Sequence, residues 1–211
     1  MPGELQHYLA TCPSVIRNTL LAEEYPAGAF MLVQGDAPRY VFILTGGEAS
    51  VYLLTSNGIR YLECIYADDE LFGEVEVLNN QPVLCNVVAR SVCRVIRVEK
   101  AAFLSWIQSD PAFALYVSRE LAGKFYLACQ TSVTHIAYPL RYRVLFFVWQ
   151  AAQQGNSYIR KEDVIAGLGS NERSINRMIK DLQEDGLIEY DQGIIRILSK
   201  EEVIKAMSSY G

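Results

Sequence analysis

Histidine is scarce in this chain of 211 residues, which has only His7 and His135. A barrel-borne metal centre needs about three His or Glu ligands converging from strands, and neither histidine falls on a β-prone run. The five cysteines (Cys12, Cys64, Cys85, Cys93 and Cys129) are odd in number and share no Cys-x-x-Cys spacing, so neither a disulfide framework nor a zinc site is indicated. Nucleophile-elbow, P-loop and Gly-x-Gly-x-x-Gly fingerprints are missing, so nothing points to an enzyme or requires a cofactor. The longest apolar runs, such as Val144 to Trp149, are far too short to span a bilayer. No N-terminal stretch joins a basic start to an apolar run, so the expectation is a cytoplasmic protein with reduced thiols and no membrane partner.

Basic charge is also in short supply, with a formal net charge of −5. The deficit is N-terminal: residues 1–139 hold 9 basic and 14 acidic side chains, whereas residues 140–211 hold 10 of each. A nucleic-acid partner would then depend on locally focused charge and on dimerisation doubling the phosphate contacts. Hydrophobic residues make up 51% of the chain and charged residues 20%, enough for buried cores and against disorder.

The most informative stretch runs from Ile159 to Ile197. Val164 and Leu168 share one face of a short helix, and Gly169 follows where a sharp turn needs positive φ. Ser170 or Asn171 can cap a second helix whose Ile175, Met178, Ile179 and Leu182 form an inward stripe at 3-4 spacing. Its opposite face carries Glu172, Arg173, Ser174, Asn176, Arg177 and Lys180, side chains suited to base edges or phosphates, with Lys161 on the flank. Gly186 stops the helix. Leu187 to Tyr190 and Ile194 to Ile197 then flank a Gly-containing turn and predict a small hairpin. Two helices, a glycine turn, a polar face and a hairpin in this order make a winged helix-turn-helix, with double-stranded DNA as the leading partner.

Upstream, Phe30 to Gln34, Tyr40 to Leu44, Ala49 to Leu54 and Arg60 to Tyr66 are β-prone runs separated by turn signals, recurring roughly every 8 to 12 residues as in a barrel or sandwich. Lys100 to Gln108 reads as a short helix, and Pro111 opens a long one running to about Ile136, broken by Tyr138-Pro139. One stripe of that helix is Phe113, Val117, Leu121, Phe125, Ala128 and Ser132, assigned to a dimer contact; Leu115, Ala122, Tyr126, Cys129, Val133 and Ile136 populate another side. Two apolar sides need two partners, one being the β-roll and the other the same helix of a second subunit. Arg141 to Gln153 predicts a further helix that opens the C-terminal domain.

In order, these segments are a β-roll, a long helix, a proline hinge and a winged helix-turn-helix. The run from Tyr25 to Leu78, with its Gly35-Asp36 and Gly46-Gly47 turns and Phe72-Gly73-Glu74, resembles the cyclic-nucleotide-binding-type domain of the CRP/FNR family of bacterial transcription regulators. The resemblance extends over essentially the whole chain. It implies a homodimeric regulator acting on a near-palindromic operator, with RNA polymerase and an unidentified small ligand as further partners to consider. Members that bind cyclic AMP use a cassette from Gly-Glu to Arg-Ser-Ala, whose Arg pairs with the cyclic phosphate. The aligned cassette here starts at Gly73 and Glu74 and ends at Leu84, Cys85 and Asn86. Losing one side of such a charged pair typically costs about 2 to 5 kcal/mol, so cyclic AMP is not the expected effector. Positions that would meet the base become Ala128 and Cys129. Glu74 then either hydrogen-bonds backbone amides or orients another ligand. Relatives often show Ser-Arg-Glu-Thr and a following Arg on the recognition helix. The matching Asn171, Glu172, Arg173, Ser174 and Arg177 reverse the Arg and Glu, implying a different operator, with Arg173 and Arg177 reading guanine or clamping phosphate and Glu172 accepting from cytosine.

The expected class is therefore α+β: a jelly-roll-like β-roll sensor over 1–109, a dimerisation helix and hinge over 110–138, and a winged helix-turn-helix over 139–211. Two alternatives stay open: a redox-responsive regulator using β-roll thiols, and a binding module whose C-terminal domain contacts protein rather than DNA.

Overall fold

The computed structural model describes residues 4–153 and 158–210. Two short helices come first, α1 (Glu4–Thr11) and α2 (Ser14–Arg17). Strands β1 (Leu21–Tyr25), β2 (Phe30–Leu32), β3 (Tyr40–Gly46), β4 (Ala49–Leu54), β5 (Arg60–Tyr66) and β6 (Glu70–Phe72) follow. Helix α3 (Glu74–Asn79) separates them from β7 (Asn86–Ala89) and β8 (Cys93–Glu99). The strands form two four-stranded sheets, ordered β1-β8-β3-β6 and β2-β7-β4-β5. At Gly47, between β3 and β4, a side chain is excluded twice: φ is +96°, and a Cβ would lie 2.3 Å from the Val92 carbonyl oxygen.

Strand β3 shows how the first core is divided. Alternation sends Phe42 and Leu44 into a cluster with Met31, Val51, Phe72 and Val95 between the sheets, where Phe42 stacks on Phe72 at 5.3 Å. Val41 and Ile43 point the other way, into a cluster with Leu5, Ile16, Val98, Phe103 and Trp106. A strand covered on both faces is apolar where it is covered, and Val41–Leu44 reads that way.

Helix α4 (Lys100–Ser109) supplies Phe103 and Trp106 and leads to the long α5 (Pro111–Ala137). The Asp110 carboxylate accepts from the amides of Ala112 and Phe113, both at 3.1 Å, with Pro111 in the first turn where its missing N–H costs nothing. Two of the residues expected at a dimer face belong instead to the core: Phe113 stacks on Trp106 at 3.8 Å, and Val117 is buried beside it. Leu121 packs against the same cluster, Ala128 is half-buried, and only Phe125 and Ser132 are exposed. The reason is proximity: the aromatic start of this stripe meets Tyr8 and Trp106 of its own chain.

Helix α6 (Leu140–Gln153) opens the C-terminal region, followed by β9 (Ile159–Arg160), α7 (Lys161–Leu168), α8 (Glu172–Glu184), β10 (Ile188–Asp191), β11 (Ile194–Ile197) and α9 (Lys200–Ser208). The strands pair in the order β10-β11-β9. Val144, Leu145, Val148, Val164, Ile175, Ile179, Leu182, Ile195 and Val203 bring every one of these helices into one core. By compactness the chain divides into two units, Met1–Gly58 with Glu63–Phe125 and Ile59–Leu62 with Tyr126–Gly211. Helix α5 is shared between them.

Candidate nucleic-acid interface

The turn between α7 and α8 is built from local rules. Gly169 adopts φ +56°, and the Leu168 carbonyl at the end of α7 accepts from the Arg143 guanidinium at 2.8 Å. Asn171, rather than Ser170, caps α8: its side-chain oxygen accepts from the Ser174 amide at 2.9 Å. At the far end Gly186, with φ +69°, follows the C-cap Asp185 and reverses the chain toward β10. Gln192 and Gly193, at φ +46° and +86°, form the tip of the β10-β11 hairpin, a pair of left-handed residues that matches the twist of two strands joined by a two-residue turn.

Helix α8 therefore turns Ile175, Ile179 and Leu182 inward and leaves Glu172, Arg173, Asn176, Arg177 and Lys180 exposed on its other side. Ser174 is half-buried. Among the described residues neither Arg173 nor Arg177 holds an ion pair, so both guanidinium forks are available. Lys161, Asn176, Lys180, Gln183 and Tyr190 line part of an open groove of about 640 Å³ beside the helix and the hairpin. Lys161 is not free: its Nζ lies 2.8 Å from Glu172 Oε1. The hydrogen bond to Glu172 holds the lysine above its ordinary value, and the same contact holds the Glu172 carboxyl below its own. Lys180 lies 3.6 Å from Glu184 one turn along.

In the β-roll, Gly73 has φ +87° and a Cβ there would come 2.8 Å from the Tyr40 carbonyl oxygen, which fixes glycine at the start of α3. Glu74 is only 1% exposed, and its Oε1 accepts from Lys124 Nζ at 2.8 Å. Lys124 also donates to the Leu71 carbonyl and sits over the Tyr66 ring, 5.2 Å from its centroid. Backbone amides, one of the two roles left open for Glu74, are thus replaced by an ion pair; a buried carboxylate is stabilised far better by a counter-charge. Lys124 escaped the sequence reading because its partner lies 50 residues away. Leu84, at the place of the phosphate-pairing arginine, is 60% exposed, and its amide donates to Glu76 Oε1 at 3.0 Å. Leu84 thus brings no charge to the position where a phosphate-pairing arginine was expected, and Lys124 holds one of the two Glu74 oxygens. Burial pushes the Cys85 thiol up to about 11 and Cys64 up to about 12, suppressing their thiolates. Cys129 is exposed on α5. His7 lies in α1 and His135 in α5, and the described residues contain no group of three or more potential metal ligands.

Residues 22–110 match the family model of the cyclic nucleotide-binding domain. Within that region the chain is 33% identical over 93 residues to potassium channel AKT1 of Oryza sativa subsp. indica, a match covering 44% of this chain and 10% of the channel. The chain thus spans about a tenth of the length of that relative. Over 176 residues it is 21% identical to the cyclic AMP receptor protein of Thermus thermophilus, covering 82% of each. Among solved structures, a CooA mutant from Carboxydothermus hydrogenoformans superposes with a TM-score of 0.80 at 15% identity, covering 98% of this chain and 97% of that one. A CRP/FNR-family transcriptional regulator from Thermus thermophilus gives a TM-score of 0.75 at 16% identity, covering 90% of this chain and 100% of its own. The fold is that of the CRP/FNR regulators: a β-roll, a long helix and a C-terminal helix-turn-helix.

Proposed function

We propose that this chain is a DNA-binding transcription regulator of CRP/FNR type that acts as a homodimer, has no enzymatic activity and does not use cyclic AMP as its effector. Residues 1–109 serve as sensor, 110–138 as dimerisation helix and hinge, and 139–211 as DNA reader, in a cytoplasmic protein. The observation that carries this reading is the exposed face of α8, where Arg173, Asn176, Arg177 and Lys180 stand opposite the buried Ile175, Ile179 and Leu182 and beside a hairpin. Two such helices related by a two-fold axis reach successive major grooves about one helical turn apart. Among the described residues no helix is long and apolar enough to cross a membrane. The uncharged leucine at position 84 supports the exclusion of cyclic AMP. The raised Cys64 and Cys85 thiols weigh against the redox alternative.

In vitro selection of random double-stranded DNA by the purified chain tests the reading, with enrichment of a near-palindrome expected. Failure to enrich any sequence would favour the protein-contact alternative. On the enriched operator Arg177→Ala should weaken binding by about 1 to 3 kcal/mol in fluorescence anisotropy. An unchanged affinity would remove Arg177 from the reading face.

A further inference from the structure

We infer that Glu172 acts as an intrachain counter-ion that occupies Lys161 in the free protein and is exchanged for a DNA phosphate, so that it tunes affinity rather than reading a base. The inference rests on the DNA-binding reading above. Lys161 is the first residue of α7, and its amide donates to the Gly193 carbonyl at 2.9 Å, which ties its backbone to the tip of the hairpin. Its side chain reaches α8, where Nζ meets Glu172 Oε1 at 2.8 Å. Lys161 is 19% exposed and Glu172 63%, so the lysine is the anchored partner and the carboxylate the movable one.

The location gives the pair its consequence. Lys161, Asn176, Lys180 and Tyr190 line one groove beside α8 and the hairpin, where a sugar-phosphate strand would pass if α8 lay in a major groove. Glu172 is not itself a lining residue, but from beside the groove it occupies one of the three N–H donors of Lys161 and repels an incoming phosphate, while the groove's own carboxylate, Glu184, lies 3.6 Å from Lys180. Glu172 also sits at the first residue of α8, where the helix dipole favours it in place, whereas accepting from a cytosine would require it to leave Lys161. Binding therefore replaces one ion pair by another, and the net effect of removing the exposed competitor is small: about two- to fivefold in affinity. Because phosphate contacts carry no sequence information, the gain is the same for any duplex.

The test uses the full chain, the operator enriched by selection and a scrambled duplex of equal length. Binding is measured across a salt series for wild type, Glu172→Gln, Lys161→Ala and the double variant. The expected result is that Glu172→Gln binds both duplexes about two- to fivefold more tightly, that the gain vanishes when Lys161 is alanine, and that Lys161→Ala lowers the salt slope by about one. The inference is overturned if Glu172→Gln loses preference at one base pair, which makes it a base reader, or leaves affinity unchanged. It is equally overturned if the gain persists without Lys161, which reduces Glu172 to simple repulsion. A wild-type chain that enriches no DNA overturns the DNA-binding reading itself.

Discussion

Lys124 does with one side chain what the β-roll would otherwise leave undone. Glu74 is buried and one of its oxygens, Oε2, has no hydrogen-bond partner among the described residues, so the Lys124 ammonium on Oε1 is its main compensation. Bringing a carboxylate out of water is expensive, and removing one partner of a buried pair costs more than removing both. Lys124→Met should therefore destabilise the chain by about 3 kcal/mol in urea denaturation. Adding Glu74→Gln to that variant should recover most of the loss. A Lys124→Met chain as stable as wild type would show that water already serves Glu74. The same contact bears on ligand choice, since a carboxylate held by an internal ammonium is a poorer acceptor for an added hydroxyl.

Helix packing in the C-terminal unit turns on a residue that helix propensity would discourage. Gly167 lies inside α7, where alanine would ordinarily gain about 1 kcal/mol. A Cβ there would come 2.3 Å from Phe147 Cε2 on α6, and overpacking typically costs about 1 to 3 kcal/mol. The clash should win: Gly167→Ala is expected to lower the thermal midpoint, and the double variant with Phe147→Leu to restore it; a midpoint raised by Gly167→Ala alone would show that the ring moves freely aside. This scale also separates what was legible in sequence from what was not. The bounds of β4, β5, β11 and α5 follow from Gly, Asn-Gly and Pro punctuation, and the α8 face from 3-4 spacing, because local signals set both. Strand β9 is two residues long and exists only through its pairing with β11, Ile159 opposite Ile195, so no periodicity could reveal it. Helix α3 has six residues, too few to show a stripe. The two stripes of α5 look alike in sequence, and only the nearness of Trp106 to Phe113 decides which of them the chain covers itself.

For the molecule as a whole, that decision leaves a face without a cover. Leu115, Phe125, Tyr126, Val133 and Ile136 are between 58% and 87% exposed, an amount of apolar surface unusual on one helix of an isolated soluble chain. Leu115, Ala122, Cys129 and Ile136 recur every seven residues, the repeat that keeps one seam facing a partner helix. This stripe lies beside, and is distinct from, most of the positions first expected at the dimer contact, with Phe125 at the border of both. A net charge of −5 gives a single subunit little attraction to DNA, so tight operator binding needs two readers held together. Phe125→Glu tests this chain of reasoning. The side chain is 72% exposed in the single chain, so folding should be little disturbed. If this face is the seam of the proposed homodimer, a glutamate facing its own copy should instead split it, seen as a halved mass in light scattering. Affinity for the full palindrome should fall by about 10² to 10⁴-fold, toward that of one half-site, because the second contact is no longer intramolecular. A variant that keeps the wild-type mass and operator affinity would place the dimer contact elsewhere and return the α5 face to some other partner.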